Sequence, residues 1–526
     1  MSLLAAHLDL IMFATLCGAI LIGYPVAFTL AGVATAFAFL GWGLGAFDFG
    51  LLGALSQRIF GILVNDTLIA IPLFVFMGVV LERSRIAEDL LEEMGRRFGR
   101  LRGGLGISVA LVGALLAAST GIVGATVVTM ALIALPAMLR NGYAPGFAAG
   151  TVCTAGTLGQ IIPPSTLLII LSDVMSSSFQ QAQYEQGLFT VETISVGQIF
   201  AAALLPGLLL VALYILYILL RAWLRPGDAP ALPPTALEAR DGRPEVGVWQ
   251  ALLPPIALIV AVLGSILGGI ATPSEAASLG AVGALLLAGL RLAAPGRRRL
   301  VYLAILSLLG LVVLVNLTSI RLQRSDVSTL DGIWAGLAAL LVLGAFLGIG
   351  RSLSIARSAG VLVEVVTRTM TITAMIFATI IAASIFSLVF RGLGGDVRIE
   401  GLLEIMPGGE IGALVFVMAL IFVLGFVLDF VEISVILLPI VVPLLLIMGF
   451  DPIWLAVLIA INLQTSFLTP PFGFSLFYLR GAAPKEITTG QIYLGVIPFV
   501  GLQALAILLI AFAPGLATAL PQFLFG

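Results

Sequence analysis

The chain has 526 residues, of which 60% are hydrophobic and only 10% are charged, and its mean hydropathy is +1.19. Soluble domains carry about 25% charged residues. This composition therefore excludes a soluble globular protein of this size and indicates an all-helical protein that crosses a membrane many times. The net charge of −2 is uninformative, because the placement of arginine among the loops decides orientation.

Several kinds of chemistry are absent from the sequence. Cys17 and Cys153 lie in apolar runs and are more typical of packing residues than of a disulfide. His7 is the single histidine, which excludes a histidine-built metal site and a serine–histidine nucleophile. No phosphate-binding glycine loop with lysine is present, and the first apolar run has no basic leader typical of a cleavable signal peptide. We therefore expect neither an enzyme nor a nucleic-acid partner, and membrane lipid as the surroundings.

The predicted elements begin with an apolar block at 8–47, long enough for two spans joined at Gly23-Tyr24-Pro25. An interfacial helix follows within 48–64, and 82–104 has the charge spacing of a solvated amphipathic helix. A Pro-, Arg- and acid-containing linker is expected at 221–248, and polar or basic loops at 177–196, 351–368 and 391–410. Further spans are predicted at 67–81, 197–220, 249–270, 275–291, 300–319, 332–350, 369–390 and 490–513.

Two longer blocks, 105–139 and 411–449, are too long for one span and short for two. Each is predicted to be a hairpin that enters and leaves the membrane on the same side. Each is followed by a span that a Pro-Pro pair interrupts, at 146–176 and 453–479. Adjacent prolines remove two backbone donors, so these spans are predicted to be broken helices whose freed carbonyls face protein or water.

The two blocks repeat one pattern. Pro136 precedes Pro163 by 27 residues, as Pro443 precedes Pro470, and between them Gly142-Tyr143-Ala144-Pro145 corresponds to Gly449-Phe450-Asp451-Pro452. A single offset of 307 residues relates a proline, a turn and a Pro-Pro pair without a gap. Arginine-rich loops at 82–104, 221–248, 291–299 and 351–368 belong in the cytoplasm, and 177–196 has no arginine. The two copies then have opposite orientations, which is typical of secondary transporters with a site near the membrane midplane.

Both copies are rich in the oxygen ligands that hard cations prefer. Intramembrane acids mark functional sites, which draws attention to Asp429 and Glu432, three residues apart on a helical face. The first copy offers Thr154, Thr157, Gln160, Ser165, the carbonyls of Gly156 and Gly159, and a hairpin tip with Ser119, Thr120, Gly121 and Thr126. The second offers Asn462, Gln464, Thr465, Ser466 and Thr469, with Asp429, Glu432 and Ser434 in its hairpin.

The motifs resemble those of the large membrane subunit of TRAP transporters, the tripartite ATP-independent periplasmic transporters. The matching stretches are IPLFVFMG (71–78), GTLGQIIPPS (156–165), TPSEAASLGA (272–281), LGFVLDFVEISVILLPIVVP (424–443) and NLQTSFLTPPFGFSLF (462–477). The resemblance implies sodium-coupled, elevator-type uptake of an organic acid anion such as a dicarboxylate, keto acid or sugar acid. It also implies a periplasmic substrate-binding protein, a small four-helix membrane subunit and a bacterial inner-membrane location.

The resemblance also assigns the candidate residues. One sodium ion would be served by the first hairpin tip and the adjacent broken helix, and a second by the corresponding parts of the other copy. The candidate sodium residues are Ser119, Thr120, Gly121, Gly156, Thr157, Gly159, Asp429, Thr465 and Thr469. The anion would bind between the Pro-Pro breaks, where the candidate contacts are Thr126, Pro163, Pro164, Ser165, Asn462, Ser466, Pro470 and Pro471.

The sequence departs from the family pattern in four places, one of which is the greater length of 177–196. Thr126 or a neighbour replaces a carboxylate common in the first hairpin, and DFVEIS stands where an Asp-Pro-Thr arrangement is usual, which makes Glu432 an unexpected residue with a possible coupling role. An added helix pair near 300–350 is expected on the scaffold, where it would replace or extend contacts to the small subunit.

The predicted organisation has six parts and leaves rival functions open. The parts are scaffold spans and interfacial helices (1–104), the first hairpin and broken helix (105–176), scaffold spans, linker and added pair (177–368), a span and external loop (369–410), the second hairpin and broken helix (411–480) and a C-terminal span (481–526). The rivals are a stand-alone ion-coupled anion symporter or antiporter, and a membrane scaffold subunit without transport of its own.

Overall fold

The computed structural model describes residues 5–84, 86–121, 123–232, 248–318 and 329–526. Every regular element in these ranges is helical, which confirms the all-helical prediction. In the same ranges, eight helices are long and apolar enough to cross a membrane, or up to ten when each of two bent pairs counts as one span.

Ten α-helices make up the first half of the described chain. They are α1 (Leu8–Leu21), α2 (Val26–Gly43), α3 (Leu55–Leu63), α4 (Asp66–Arg83), α5 (Ile86–Phe98), α6 (Gly104–Thr120), α7 (Val123–Arg140), α8 (Pro145–Thr157), α9 (Thr166–Glu185) and α10 (Val196–Leu224). α6 and α7 form the first hairpin, and the chain between α8 and α9 contains the first Pro-Pro break. The linker at 221–248 lies mostly outside the described residues.

The second half repeats this order after two further spans and the added pair. Its helices are α11 (Val248–Leu267), α12 (Pro273–Leu292), α13 (Arg299–Leu317), α14 (Thr329–Ser358), α15 (Val361–Gly392), α16 (Gly395–Glu404), α17 (Gly409–Leu424), α18 (Phe430–Ile436), α19 (Leu438–Ile447), α20 (Pro452–Leu468), α21 (Phe474–Ala482), α22 (Thr489–Phe512) and α23 (Gly515–Phe525). The second hairpin consists of α17 and the α18–α19 pair, which is bent by 57°. The second break lies between α20 and α21.

Some predicted loops were wrong because helices continue through them. The basic segment 351–368 is helical except for a turn at Gly360, since α14 ends at Ser358 and α15 begins at Val361. The polar stretch 391–410 contains α16, and α9 extends through the first part of 177–196. Polar residues did not end these helices, because charged side chains on a helix that leaves the membrane are solvated without breaking backbone hydrogen bonds.

The repeated Gly-aromatic-x-Pro turn has one structure in both copies. Gly142 and Gly449 have positive φ, 80° and 98°, and their N–H groups donate to the carbonyls of Leu139 and Leu446 at 3.0 Å. This is a glycine C-cap. The proline three residues later begins the next helix, α8 or α20, where a missing N–H costs nothing. The offset of 307 residues therefore extends to helix boundaries, and both Pro-Pro bonds are cis.

Ion pairs bring the arginine-rich segments together. Arg291 at the end of α12 donates to Asp89 of α5 at 2.7 Å, and Arg83 of α4 pairs with Glu364 of α15 at 2.8 Å. Arg368 of α15 also reaches Glu82 of α4 at 3.3 Å. Three of the segments assigned to the cytoplasm from their arginine content thus lie on one face of the molecule.

The two helices of the added pair, α13 and α14, pack against each other through small residues, and α14 packs against α12 in the same manner. A Cβ on Gly348 of α14 would overlap Ala304 of α13, and a Cβ on Gly344 would overlap Ser307. Between α12 and α14, a Cβ on Gly289 would overlap Ser352. Most of the outer faces of α13 and α14 are exposed apolar surface. The loop between them, 319–328, lies outside the described residues.

Glycines also allow α8 and α22 to touch backbone to backbone. A Cβ on Gly150 would overlap the carbonyl of Gly495, and a Cβ on Gly495 would overlap the carbonyl of Gly146. α22 further contacts α10, where Gln503 donates to the buried Tyr214 hydroxyl at 2.9 Å. The last long helix is therefore packed on the first broken helix and on the span that follows it.

Candidate functional site

The first break is held against the tip of the first hairpin. α6 ends at Thr120 and is capped by Gly121, which has φ of 59°. The Thr166 hydroxyl just after the Pro-Pro pair donates to the Gly121 carbonyl at 2.6 Å. Ser165 donates to the carbonyl of Gln160 at 2.8 Å and caps α9. Residues 161–165 are buried throughout. The freed backbone of the break is thus partly satisfied by hydroxyl groups that the sequence places beside it.

The first broken helix also packs closely on both arms of its hairpin. A Cβ on Gly156 would lie 2.5 Å from the Val127 side chain and 3.0 Å from its Cα, so only glycine fits against α7. Gly159 faces Ala117 of α6, where a Cβ would have an ordinary distance of 3.5 Å. Both glycines therefore lie where the first broken helix contacts its hairpin, Gly156 against α7 and Gly159 against α6.

The second hairpin tip is built around a capping box of two acids. Asp429 accepts from the Phe430 N–H at 2.7 Å, and Glu432 accepts from the Asp429 N–H at 2.9 Å. The unexpected Glu432 thus has a structural role, because it caps the short helix α18. Asp429 also interacts electrostatically with Tyr478 of α21, which places the tip next to the helix after the second break.

The hydroxyls of the second broken helix bond back to their own helix. Thr465 donates to the Ile461 carbonyl and Thr469 to the Thr465 carbonyl, each at 2.7 Å, and Ser466 donates to the Leu463 carbonyl at 2.8 Å. These bonds use the proton of each hydroxyl and leave lone pairs on its oxygen. Threonine oxygens oriented in this way are suitable ligands for a hard cation.

Asn462 is hydrogen-bonded to α17, whereas the second break is hydrogen-bonded to α22. Asn462 donates to the Met418 carbonyl at 2.7 Å and so ties α20 to the first arm of the hairpin. The Tyr493 hydroxyl of α22 donates to the Pro471 carbonyl at 2.9 Å. Unlike the first break, the second is open, since Phe472 is 55% exposed.

The two copies meet at corresponding residues. The Gln464 side chain donates to the Thr157 hydroxyl at 3.3 Å, and these two residues are 307 positions apart. Contact between residues that one offset relates is expected where two related units pack about a common axis. The broken helices α8 and α20 therefore face each other at the level where each approaches its break.

Several buried polar atoms of the broken helices and the second hairpin have no hydrogen-bond partner in the described structure. Buried polar groups are normally hydrogen-bonded, so such atoms indicate a place for an ion, water or ligand group. The side chains concerned are Thr154, Gln160, Ser434 and Gln464.

The structure groups most of the predicted site residues around the two tips and breaks. Thr126 is buried in α7, and Pro163 and Pro164 are buried in the first break. Pro470 and Pro471 are partly or fully exposed in the second. The side chains of Ser119 and Thr120 lie outside the described part of the chain.

Two residues of the site are not among those predicted from the sequence. Thr166 connects the first break to its hairpin, and a hydroxyl residue directly after Pro-Pro-Ser was the available signal. The Tyr478 ring lies against Gly124, where a Cβ would be 2.9 Å from the ring, so a residue of the second copy touches the first hairpin. Sequence offered no signal for that contact, because it joins distant segments.

A family model described as "Tripartite ATP-independent periplasmic transporter, DctM component" matches residues 13–516. The chain belongs to this DctM family. It is 26% identical over 98% of both chains to a C4-dicarboxylate TRAP transporter large permease protein of Vibrio cholerae. It is 24% identical to an ectoine TRAP transporter large permease protein of Halomonas elongata, over 98% of this chain and 99% of that one.

Among solved structures, the Alcanivorax borkumensis YdaH transporter aligns with 97% of this chain and 100% of its own, at a TM-score of 0.53 and 16% identity. This likeness concerns the fold alone. Membership of the DctM family and the apolar spans make the chain a multi-pass protein of the bacterial inner membrane. Its relatives are transport permeases, which are not enzymes. Large permeases of this family normally work with a small membrane subunit and a periplasmic binding protein.

Proposed function

We propose that this chain is the large permease of a sodium-coupled uptake system for an organic acid anion, fed by a periplasmic binding protein and supported by a small membrane subunit. The observation that carries the proposal is the contact of Gln464 with Thr157, because it brings the two broken helices together between two hairpin tips. Each half then supplies one tip and one break to a shared site.

Sodium is the coupling ion that the site chemistry favours. The candidate ligands are carbonyl and hydroxyl oxygens, with one acid at the second tip, which suits a hard monovalent cation. One ion would bind between Gly121 and the backbone of 156–159, and another between Asp429, Thr465 and Thr469. Unpartnered amide and hydroxyl groups nearby are available for an anion.

The substrate would be an organic acid anion bound between the breaks. The named relatives handle C4-dicarboxylates and ectoine, both small carboxylate-bearing compounds. Ser165, Asn462 and Ser466 are the predicted contacts. All three already donate to protein carbonyls, Ser165 to Gln160, Asn462 to Met418 and Ser466 to Leu463. They would exchange or share those bonds when substrate binds.

The mechanism would be the movement of a rigid unit past a scaffold. The unit contains both hairpins and both broken helices, and we include α10 and α22, because glycine contacts and the Gln503–Tyr214 hydrogen bond attach them to it. α1, α2, α4, α12 and α15 would form the scaffold, with α13 and α14 attached to α12. The buried first break and the exposed second break fit one end state of such a movement.

Reconstitution tests the proposal. The chain is purified with its small subunit into liposomes, and uptake of radiolabelled dicarboxylates, keto acids and sugar acids is measured with the binding protein outside. We expect uptake only with an inward sodium gradient, and loss of uptake in Asp429→Ala. Uptake of equal rate in potassium would refute sodium coupling.

The same preparation separates the rival functions. A stand-alone symporter or antiporter would transport without the binding protein or the small subunit. A scaffold subunit without transport of its own would leave both the flux and its sodium dependence intact in Asp429→Ala.

A further inference from the structure

The second hairpin contains a carbonyl that its own helix cannot satisfy. In an α-helix each carbonyl accepts from the N–H four residues later. Four residues after Pro439 stands Pro443, inside α19, and proline has no N–H. The Pro439 carbonyl therefore lacks its α-helical donor, and a carbonyl inside a membrane protein needs another partner.

Arg391 provides that partner from a different helix. Its Nη2 donates to the Pro439 carbonyl at 2.7 Å. Arg391 is the second-last residue of α15, a scaffold helix in the proposed mechanism, whereas α19 belongs to the moving unit. This hydrogen bond therefore joins the proposed scaffold to the proposed moving unit.

Two features of the surroundings of Arg391 act against its present position, an unpartnered buried nitrogen and a second positive charge. Arg391 Nε is buried without a partner in the described structure. The guanidinium of Arg58 on α3 is close enough for the two positive charges to interact, which disfavours their approach. A single hydrogen bond from a charged donor changes an equilibrium by about tenfold or somewhat more.

The first hairpin has the same proline but a different contact with the scaffold. Pro136 in α7 corresponds to Pro443 and deprives the Leu132 carbonyl of its helical donor in the same way. Within the described residues, the scaffold contact of α7 is made one turn earlier, where the Thr129 hydroxyl donates to Glu82 of α4 at 2.9 Å. Leu132 is 62% exposed. The two hairpins thus form different hydrogen bonds to the scaffold, although both contain the repeated proline.

We propose that Arg391 is a positioning residue of the transport cycle, which holds the second hairpin in the conformation seen here and releases the Pro439 carbonyl when the moving unit shifts. The inference rests on the proposed function, because it assumes a unit that moves. It adds two points to that function. Pro443 leaves the Pro439 carbonyl free to accept a hydrogen bond, and Arg391 of the scaffold stabilises the conformation in which that bond forms.

The test measures the distance between scaffold and moving unit by pulsed electron spin resonance. Spin labels are attached at Arg140→Cys on α7 and Arg357→Cys on α14, in a Cys17→Ser, Cys153→Ala background, with the protein in lipid nanodiscs and sodium chloride. We expect two distance populations in this reference protein. Arg391→Met should lower the ratio of the population at the distance seen in this structure to the shifted population by about tenfold.

A second variant tests the same bond from the acceptor side. Pro443→Ala restores an N–H that competes for the Pro439 carbonyl, so it should shift the populations in the same direction while Arg391 remains. The double variant Arg391→Met, Pro443→Ala should shift them no further than the larger single effect, because both remove one interaction. Pro136→Ala is the matched control and should leave the ratio unchanged.

Three results would overturn the inference. Unchanged ratios in both Arg391→Met and Pro443→Ala, or additive shifts in the double variant, would show that the bond does not set the equilibrium, although the unit moves. A single distance in the reference protein, in both sodium and potassium chloride, would refute the moving unit and the proposed mechanism together. If Arg391→Met fails to fold, Pro443→Ala decides the question.

Discussion

Asp429 has two possible contributions, as a helix cap and as a sodium ligand, and one substitution separates them. In Asp429→Asn, the side-chain oxygen that accepts from the Phe430 N–H at 2.7 Å is kept while the charge is lost. Asparagine caps helices about as well as aspartate. Asp429→Ala removes the cap as well and should cost about 1 kcal/mol of additional stability.

The sodium contribution follows from mass action. Sodium at about one hundred times its dissociation constant stabilises the folded protein by about 2.7 kcal/mol per site. If Asp429 is a ligand, Asp429→Asn loses most of this increment at its site, although its stability in potassium is unchanged. The loss of sodium stabilisation should therefore exceed the loss of the cap.

Thermal unfolding of the purified protein, measured in sodium chloride and in potassium chloride of equal concentration, distinguishes the two contributions. Asp451→Asn is the matched control, since Asp451 caps α20 by accepting from the Trp454 N–H at 2.7 Å but is exposed outside the site. A full sodium response in Asp429→Asn, equal to that of Asp451→Asn, would show that Asp429 is a cap and not a ligand.

Two further predictions concern the packing of the broken helices. Gly156→Ala should destabilise the protein by about 1–3 kcal/mol, because its Cβ would press on Val127, whereas Gly159→Ala should be tolerated; equal melting temperatures for the two variants would contradict this. Gln464→Leu should abolish sodium-driven uptake without lowering the melting temperature, because it removes a buried amide oxygen that has no partner along with the bond to Thr157, and retained uptake would contradict this.

The sequence was most informative where proline and glycine constrain the backbone. The turns at Gly142 and Gly449 and the helix starts at Pro145 and Pro452 have the structures that those residues require. The apolar runs also predicted nearly all of the spans. Prediction was wrong where charged residues continue a helix, as at 351–368, because polarity alone does not distinguish a solvated helix from a loop.

Contacts between distant segments could not be predicted from composition or spacing. The role of Glu432 in a capping box can be read from its position three residues after Asp429, whereas its coupling role stays a prediction. The bond between Arg391 and Pro439 needs two facts together, a proline four residues after an acceptor and a donor that approaches from another helix. Only the first of these is visible in the sequence.

The glycine contact between α8 and α22 bears on how the chain is assembled during synthesis. α8 is among the earlier helices to leave the ribosome, whereas the backbone that covers its glycine face belongs to the last long span. Until Gly495 has been inserted, Gly146 and Gly150 lack the backbone that packs against them in the folded protein. Truncation before α22 would therefore leave the first half incomplete, although every residue of that half is already in the bilayer.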